Sequence, residues 1–450
     1  MKTTAIILAA GQGSRMHSST PKVLHTLAGE PMIRYSLDAV AGIGSELPVV
    51  VVGHEADAVR NYVGAGARFV TQEQQLGTGH AVRAAESLLA GNTDLVLVVN
   101  ADLPLLTAQT LKSLVETQRA NHGPVTILTS IADDARGFGR VIRKPDGSVQ
   151  AIVEEAQASP EQLAIRELNV GVYCFKADWL WQALPRVPLS SKGEYYLTDT
   201  VGIAVDDGLA VQTIVLPDAC EAIGINTRVH LAEVEAAMRQ RINTHHMLAG
   251  VTLVDPSTTY IESGVQIGQD TIVWPNTYLR GKTVIGERCS IGPNSIVVDT
   301  EIGKDCTVLS SVLEGALLED HVGIGPFGHL RKGAHLAEGV HMGNFGEVKD
   351  SYLGPGTKMG HFSYIGNAHI GPDVNIGAGT ITCNFDGVNK NPTDIGSGAF
   401  IGSDTMLVAP VKIGDGARTG AGSVVTHDVP PHEVVVGVPA RPLRKTEKSD

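Results

Sequence analysis

Residues 361–390 read HFSYIGNAHIGPDVNIGAGTITCNFDGVNK, with Ile-Gly pairs at Ile365-Gly366, Ile370-Gly371 and Ile376-Gly377. The beat is close to six residues, and it breaks off in a polar loop. It extends outward, to Ile267, Ile285, Ile291 and Ile302 on one side and Ile395, Ile401 and Ile413 on the other. A β-branched residue before glycine at a period of six marks a parallel β-helix of hexapeptide repeats. Each repeat supplies a short strand with its aliphatic residue inward, and the glycine or asparagine that follows is expected to take the left-handed backbone of a tight corner. One coil cannot bury its own face, so coils stack. An ordinary sandwich would need alternation and turns every ~8–12 residues, which this spacing lacks.

Composition bounds the rest. With 450 residues, 43% hydrophobic and 18% charged, the chain can bury more than one core, and roughly 150 residues per domain gives two or three units. A net charge of −13 argues against a nucleic-acid or anionic-membrane partner held by general electrostatics. Any phosphate must therefore be met by local Lys, Arg or backbone N–H groups. The five cysteines are scattered without C-x-x-C spacing and read as reduced, mostly buried small hydrophobes of a cytoplasmic protein. The start, MKTTAIILAAGQGSRM, has too short an apolar core for a signal peptide. No apolar run approaches the ~18 residues of a membrane span.

The first half reads as α/β. Strand-like runs at Thr4–Ala9, Pro48–Val52 and Asp94–Val99 alternate with helical patterns near Pro31–Ala41, Thr78–Ala90 and Thr107–Asn121, which predicts a parallel sheet covered on both faces. Ligands then bind beyond the carboxyl ends of the strands, so the loops after Thr4–Ala9 and after Asp94–Val99 are the place to look. The first loop, LAAGQGSRMHSSTPKVL from Leu8 to Leu24, combines a close-approaching backbone at Gly11 and Gly13 with the charges of Arg15 and Lys22. It is neither a P-loop nor the full Gly-x-Gly-x-x-Gly of dinucleotide folds.

The string LAAGQGSRM followed by Pro21-Lys22, together with the hexapeptide half, resembles the bifunctional enzymes that join N-acetylglucosamine-1-phosphate uridyltransferase to glucosamine-1-phosphate N-acetyltransferase. The similarity covers nearly the whole chain. It implies a Rossmann-like nucleotidyltransferase domain over 1–226, a linker helix over 227–250, a left-handed β-helix acetyltransferase domain over 251–440 and a polar tail over 441–450. UTP and acetyl-CoA would be substrates, Mg²⁺ the metal, and the protein a cytoplasmic homotrimer.

The resemblance assigns residues by matching strings. Leu8, Ala9, Ala10 and Gly11 would line the nucleotide, and Arg15 and Lys22 its phosphates. Gln72, Gly77 and Thr78, in TQEQQLGTGHA, match the uracil-reading segment, although Thr78 also suits a helix N-cap. Asp102, in VVNADLPL, and Asn226, in GINTR, match the metal pair, consistent with the few oxygen ligands Mg²⁺ takes from protein. Asn100 and Ala101 depart from the family's usual pair before this Asp, the methyl of Ala101 being expected to narrow the approach to the nucleotide sugar, and Ala156 stands where a Lys is common. Gly139, Glu154, Asn169, Tyr196 and Thr198 match the sugar side.

In the β-helix, Arg331, Lys349, Tyr364 and Asn375 match the amino-sugar phosphate contacts, and His361 the general base, a role that suits imidazole near neutral pH. Ala378, Asn384, Phe385, Ser403 and Ala421 match positions near acetyl-CoA, with Phe385 in place of a usual Tyr. The loop Asn384–Lys390 would reach a neighbouring subunit. Between the halves, Leu231, Val234, Met238 and Ile242 form one apolar stripe, and His245 and His246 are expected to be solvated helix-end residues. Two other readings stay open: a single-activity sugar-1-phosphate nucleotidyltransferase whose β-helix only assembles or regulates, and a non-catalytic sugar-nucleotide sensor.

Overall fold

The strand Thr3–Leu8 is apolar on both faces and buried along its length but for its last residue, the pattern of a central strand in a covered parallel sheet. The computed structural model, which describes residues 1–53 and 55–443, places it at the middle of a mixed sheet. The order across that sheet is Val211–Val215, Val125–Ile131, Glu167–Lys176, Leu95–Asn100, Thr3–Leu8, Glu46–Val52, Arg68–Thr71. Glu167–Lys176 runs antiparallel to both neighbours; the remaining pairs along this order are parallel. A hairpin, Arg140–Arg143 with Val149–Val153, attaches at Leu168. Two buried clusters, one containing Ile7 and Val50 and the other Ile6 and Val51, are the two faces of the same strands.

The carboxyl edge of the parallel part is where the loops gather. Leu8 lies beside Asn100 in register, and Ala101 N continues the ladder to Leu8 O at 3.0 Å. The loops that begin at Ala9 and Ala101 therefore leave side by side. The expected helix over Thr78–Ala90 is two pieces, Thr78–Arg83 and Glu86–Leu89, because Ala85 N bonds back to Val82 O, three residues away, and tightens the turn.

The chain divides into two compact units, Met1–Met238 and Arg239–Asp450. A 21-residue helix, Arg228–Leu248, carries it from one to the other. In the first unit Val234 and Met238 are buried and Glu235 accepts from Ala28 N at 3.0 Å. In the second, Ile242 packs on the core and Asn243 donates to Pro256 O and Thr259 O. His246 is buried, not solvated, because it lies four residues after Ile242 on the same stripe; burial first, and His245 second, lower its pKa. His245 stays exposed.

Beyond Val251 the fold is a left-handed parallel β-helix of three sheets, one per side of a triangular coil. In-register parallel pairs such as Ser290 with Thr307 and Thr307 with Gly323 stack each coil on the last. Ile285, Ile291, Ile302, Ile365, Ile370, Ile376, Ile395, Ile401 and Ile413 are each at most 4% exposed, and Ile267 is half-buried against the same core. Each such side chain contributes about 1.5–3 kcal/mol.

Most glycines after these isoleucines do a different job from the one expected; Gly292, with a φ of 96°, does take the left-handed backbone. Gly286 and Gly303 do not have the left-handed backbone; a Cβ at Gly286 would sit 2.5 Å from Gly303 O, and one at Gly303 2.8 Å from Asp320 N. They are glycine because the next coil's backbone passes there. The left-handed corner comes two residues later, at Arg288 and Asp305. No helix among the described residues is long and apolar enough to cross a membrane, and the end of the expected polar tail, 444–450, lies outside the described residues.

Candidate active sites

At the carboxyl edge of the first sheet a cleft of about 330 Å³ is lined by Leu8, Ala9, Ala10, Gly11, Lys22, Gln72, Gly77, Thr78, Asn100, Asp102 and Tyr196. That volume lies within the roughly 300–1,000 Å³ of small-molecule sites. Gly77 takes a φ of 95° at the helix entry, and a Cβ there would meet Tyr195 O at 2.6 Å. Thr78 is not the N-cap: its Oγ1 accepts from Leu197 N at 3.0 Å. These contacts, with Gly79 N to Tyr195 O at 2.8 Å, weld TQEQQLGTGHA to GEYYLTD.

A smaller pocket shares Leu8, Thr78 and Asn100 with the first and adds Gly139, Glu154, Asn169 and Thr198. Thr198 Oγ1 donates to Glu154 Oε1 at 2.9 Å, and burial raises the Glu154 carboxyl above its ordinary pKa. Asn169 is fixed at both ends, its Nδ2 donating to the Tyr173 hydroxyl and its Oδ1 accepting from Gly171 N. Asn100 Nδ2 donates to Gly171 O at 3.0 Å, so this departure residue braces the wall between the pockets. Ala101 is not in either pocket; its methyl is fully buried in the core beneath the sheet, so it does not narrow the approach to a nucleotide sugar.

Four polar side chains converge at the mouth. Lys22 Nζ lies 2.6 Å from Asp102 Oδ2 and 3.2 Å from Asn226 Oδ1, and Arg15 Nη2 reaches the same Asn226 oxygen at 3.2 Å. Ile225 N bonds to Asp102 O at 3.0 Å, which holds the two loops together. Glu221, missed in the sequence, is 4% exposed and accepts from Thr107 N and Thr110 Oγ1, tying the segment before Asn226 to the helix after Asp102. Nothing in the sequence separates this Glu from solvated ones. Gln75, also missed, donates to Ala10 O at 2.6 Å and lines the cleft; its place in the Gln-rich string was the available signal.

The second unit brings cations together. Arg331 Nη1 pairs with Glu347 Oε1 at 2.8 Å. The Lys390 ammonium beside Lys349, followed by slight burial and Arg331, lowers the Lys349 pKa, while Asp350 Oδ2 stands 3.8 Å off. Like charges gathered on a surface are a place for an anion. Glu347 and Lys349 sit on one strand, in register with Tyr364 and Gly366. A Cβ on Gly366 would come 2.5 Å from the Tyr364 hydroxyl and 2.8 Å from Asn384 Nδ2, so both groups lean over that glycine. Asn384 Nδ2 donates to Asn367 Oδ1 at 2.7 Å. His361 is exposed at the corner after Lys358–Met359, with no hydrogen-bond partner among the described residues. Asn375 follows on the next coil, opposite Lys358.

Ala378, Ser403 and Ala421 form one column: Asp404 N bonds to Ala378 O at 2.6 Å and Gly422 N to Ser403 O at 2.8 Å. Between the first two coils the chain leaves the helix as a loop closed by a Phe385–Lys390 bridge. Asp386 Oδ1 accepts from Val388 N and Asn389 N and braces it. Phe385 is 62% and Val388 83% exposed.

A MobA-like NTP transferase domain model matches residues 5–170, and a bacterial transferase hexapeptide model matches 264–299 and 392–427. The Bifunctional protein GlmU of Heliobacterium modesticaldum is 47% identical over 95% of this chain and 94% of its own length. That of an Exiguobacterium species is 46% identical over 97% of each. Among solved structures, a putative glucose-1-phosphate thymidylyltransferase from Bacillus anthracis aligns with 52% of this chain and 94% of its own at 20% identity, with a TM-score of 0.44. At these identities over almost the full length, the chain belongs to the bifunctional GlmU family.

Proposed function

We propose that the protein makes UDP-N-acetylglucosamine in two steps, one in each unit. The observation that carries this is the pairing of two separate polar centres in one chain: the Lys22–Asp102–Asn226 cluster beside a cleft, and the Arg331–Lys349–Lys390 group on the β-helix. A β-helix that served assembly alone would not need the second.

In the acetyl step the anionic phosphate of glucosamine-1-phosphate lies against Arg331, Lys349 and Lys390, with Tyr364 and Asn375 at the sugar. The exposed His361 imidazole takes a proton from the ammonium, and the amine nitrogen then attacks the thioester carbon of acetyl-CoA; the C–N bond forms, the C–S bond breaks, and coenzyme A leaves as a thiolate that takes up the proton the acylated nitrogen releases. Such a base contributes typically 10²–10⁴-fold. The Ala378, Ser403 and Ala421 column and Asn384–Phe385 flank the coenzyme.

In the uridylyl step a phosphate oxygen of N-acetylglucosamine-1-phosphate attacks the α-phosphorus of UTP and pyrophosphate leaves. Leu8 to Gly11 and Lys22 hold the triphosphate, Gln72 and Gly77 the base, and Gly139, Glu154, Asn169 and Thr198 the sugar. Positioning and electrostatics do most of this work. Asp102 and Asn226 fit Mg²⁺: two hard oxygen donors converge on one point, which an ammonium fills here, and Mg²⁺ takes one or two such ligands beside substrate phosphates. When bound, the ion offsets charge on the transferring phosphoryl group. We also read the enzyme as cytoplasmic and trimeric, the exposed Phe385 and Val388 being suited to a neighbouring copy.

The test is product analysis with glucosamine-1-phosphate, acetyl-CoA, UTP and Mg²⁺. Asp102→Ala keeps acetylation and stops UDP-sugar formation. His361→Ala does the reverse when the acetylated sugar phosphate is supplied. Acetylation at the wild-type rate by His361→Ala would remove His361 from the mechanism.

A further inference from the structure

Gln72 is 5% exposed and lines the first cleft. Its amide nitrogen Nε2 donates to Gly77 O at 3.0 Å and lies 3.1 Å from His80 Nδ1. A peptide carbonyl only accepts, so Gly77 decides which end of the amide is nitrogen. The other hydrogen on Nε2 then requires a lone pair at His80 Nδ1, which places the ring proton on Nε2 of the imidazole. Both amide hydrogens are thus engaged inside the protein. Oε1 of Gln72 has no partner among the described residues, and neither does the N–H of Gly77.

The cleft therefore presents a fixed acceptor close to a free donor. Uracil offers the complement, N3–H flanked by carbonyl oxygens. Cytosine offers a bare N3, which sets acceptor against the Gln72 oxygen, and an amino group at C4, which sets donor against the Gly77 N–H where that group faces C4. A flipped Gln72 amide would reverse that preference by putting its NH₂ group toward the base.

We propose that His80, without touching the nucleotide, sharpens base specificity by joining the Gly77 carbonyl in holding the Gln72 amide with Oε1 toward the base, so that uridine is preferred to cytidine. His80 is a positioning residue, and this role rests on the assignment of Gln72 to the base.

The test is kcat/KM for UTP and for CTP in the full-length enzyme, for wild type, His80→Leu, His80→Asn and Gln72→Ala. The ratio of the two constants does not depend on what fraction of a preparation is folded. His80→Leu is expected to lower the UTP:CTP ratio roughly tenfold, the worth of one hydrogen bond, chiefly through a higher KM for UTP. His80→Asn, whose side-chain oxygen can accept from Gln72, recovers most of the ratio. An unchanged ratio in His80→Leu overturns the proposal even if both constants fall, as does an Asn variant no better than Leu. Gln72→Ala separates the two levels. If it leaves the ratio at the wild-type value, the base assignment itself fails; if it collapses the ratio and His80→Leu does not, only the role of His80 fails.

Discussion

Lys22 Nζ stands 2.6 Å from Asp102 Oδ2, with both side chains largely buried, at 13% and 25% exposure. The ammonium occupies the point at which Asp102 and Asn226 aim their oxygens, and so competes with a divalent ion for the same donors. Triphosphate, by attracting Lys22, would release them.

Removing the competitor should show this directly. Lys22→Met is expected to bind Mn²⁺ in the absence of nucleotide roughly tenfold more tightly than wild type, since a hydrogen bond to a charged group is worth about 1.5–3 kcal/mol. Its uridylyl transfer should nevertheless drop. Titration calorimetry on nucleotide-free protein reads the first effect, and equal Mn²⁺ affinity in the two proteins would count against it.

On the β-helix, Lys349 and Lys390 repel each other and hold the Lys349 pKa below its ordinary value. The folded state binds fewer protons there than the unfolded chain, so stability rises with pH between the lowered value and the ordinary ~10.4. Lys390→Ala should therefore melt slightly higher than wild type at pH 7, with the gap closing toward pH 10. Glucosamine-1-phosphate should raise the melting temperature of the wild type more than that of the variant. A variant that melts lower at pH 7 would show that the repulsion is not felt.

Glu154 runs the other way, its pKa raised by burial. Its folded state keeps a proton longer, a contribution that is present below about pH 4.3 and is lost as pH rises through the folded value. Glu154→Gln removes the penalty of the buried charge, and its Oε1 can still accept from Thr198. Melting curves from pH 4 to 8 should coincide with wild type at the acid end and lie above it at neutral pH. Curves that stay parallel would place the Glu154 charge in solvent.

The coil spacing gives a structural prediction. Gly286→Ala puts a methyl 2.5 Å from Gly303 O, and overpacking of this kind costs about 1–3 kcal/mol. Gly422→Ala, where a Cβ meets nothing within 4 Å but φ is 69°, should cost about 1 kcal/mol by backbone strain alone. Denaturant midpoints of the two variants compare close approach with left-handedness as reasons for glycine.

The β-helix was legible because its period is a repeated physical constraint: one inward aliphatic residue per side, seen at Ile285, Ile291 and Ile302. The role of the following glycine was not, since a one-dimensional pattern cannot tell a positive φ from a neighbouring coil's carbonyl. The cleft followed from where parallel strands end, as Leu8 beside Asn100 shows. Ala101 misled, because adjacent residues at a strand end point to opposite sides and the sequence does not say which side is core. Glu221 acts through partners distant in the chain and His80 through a ring tautomer, and neither has a local signature, whereas Gln75 stood in a Gln-rich string that could have marked it. His246 was within reach, four residues after Ile242 on a stripe already drawn.

The in-register stacking of the coils has a consequence for how such a site could change. Arg331 and Lys349 stand on adjacent coils, with Tyr364 one coil further. Parallel strands repeat every ~4.8 Å, so the anion-holding groups are set out along a ruler whose unit is one coil. Losing or gaining a whole coil below Arg331 would slide the entire centre along the axis with its internal distances intact. The same insertion between Arg331 and Lys349 would part the cations by one unit. Length variation in this family should therefore be tolerated toward Val251 and forbidden within the span from Arg331 to Ala421.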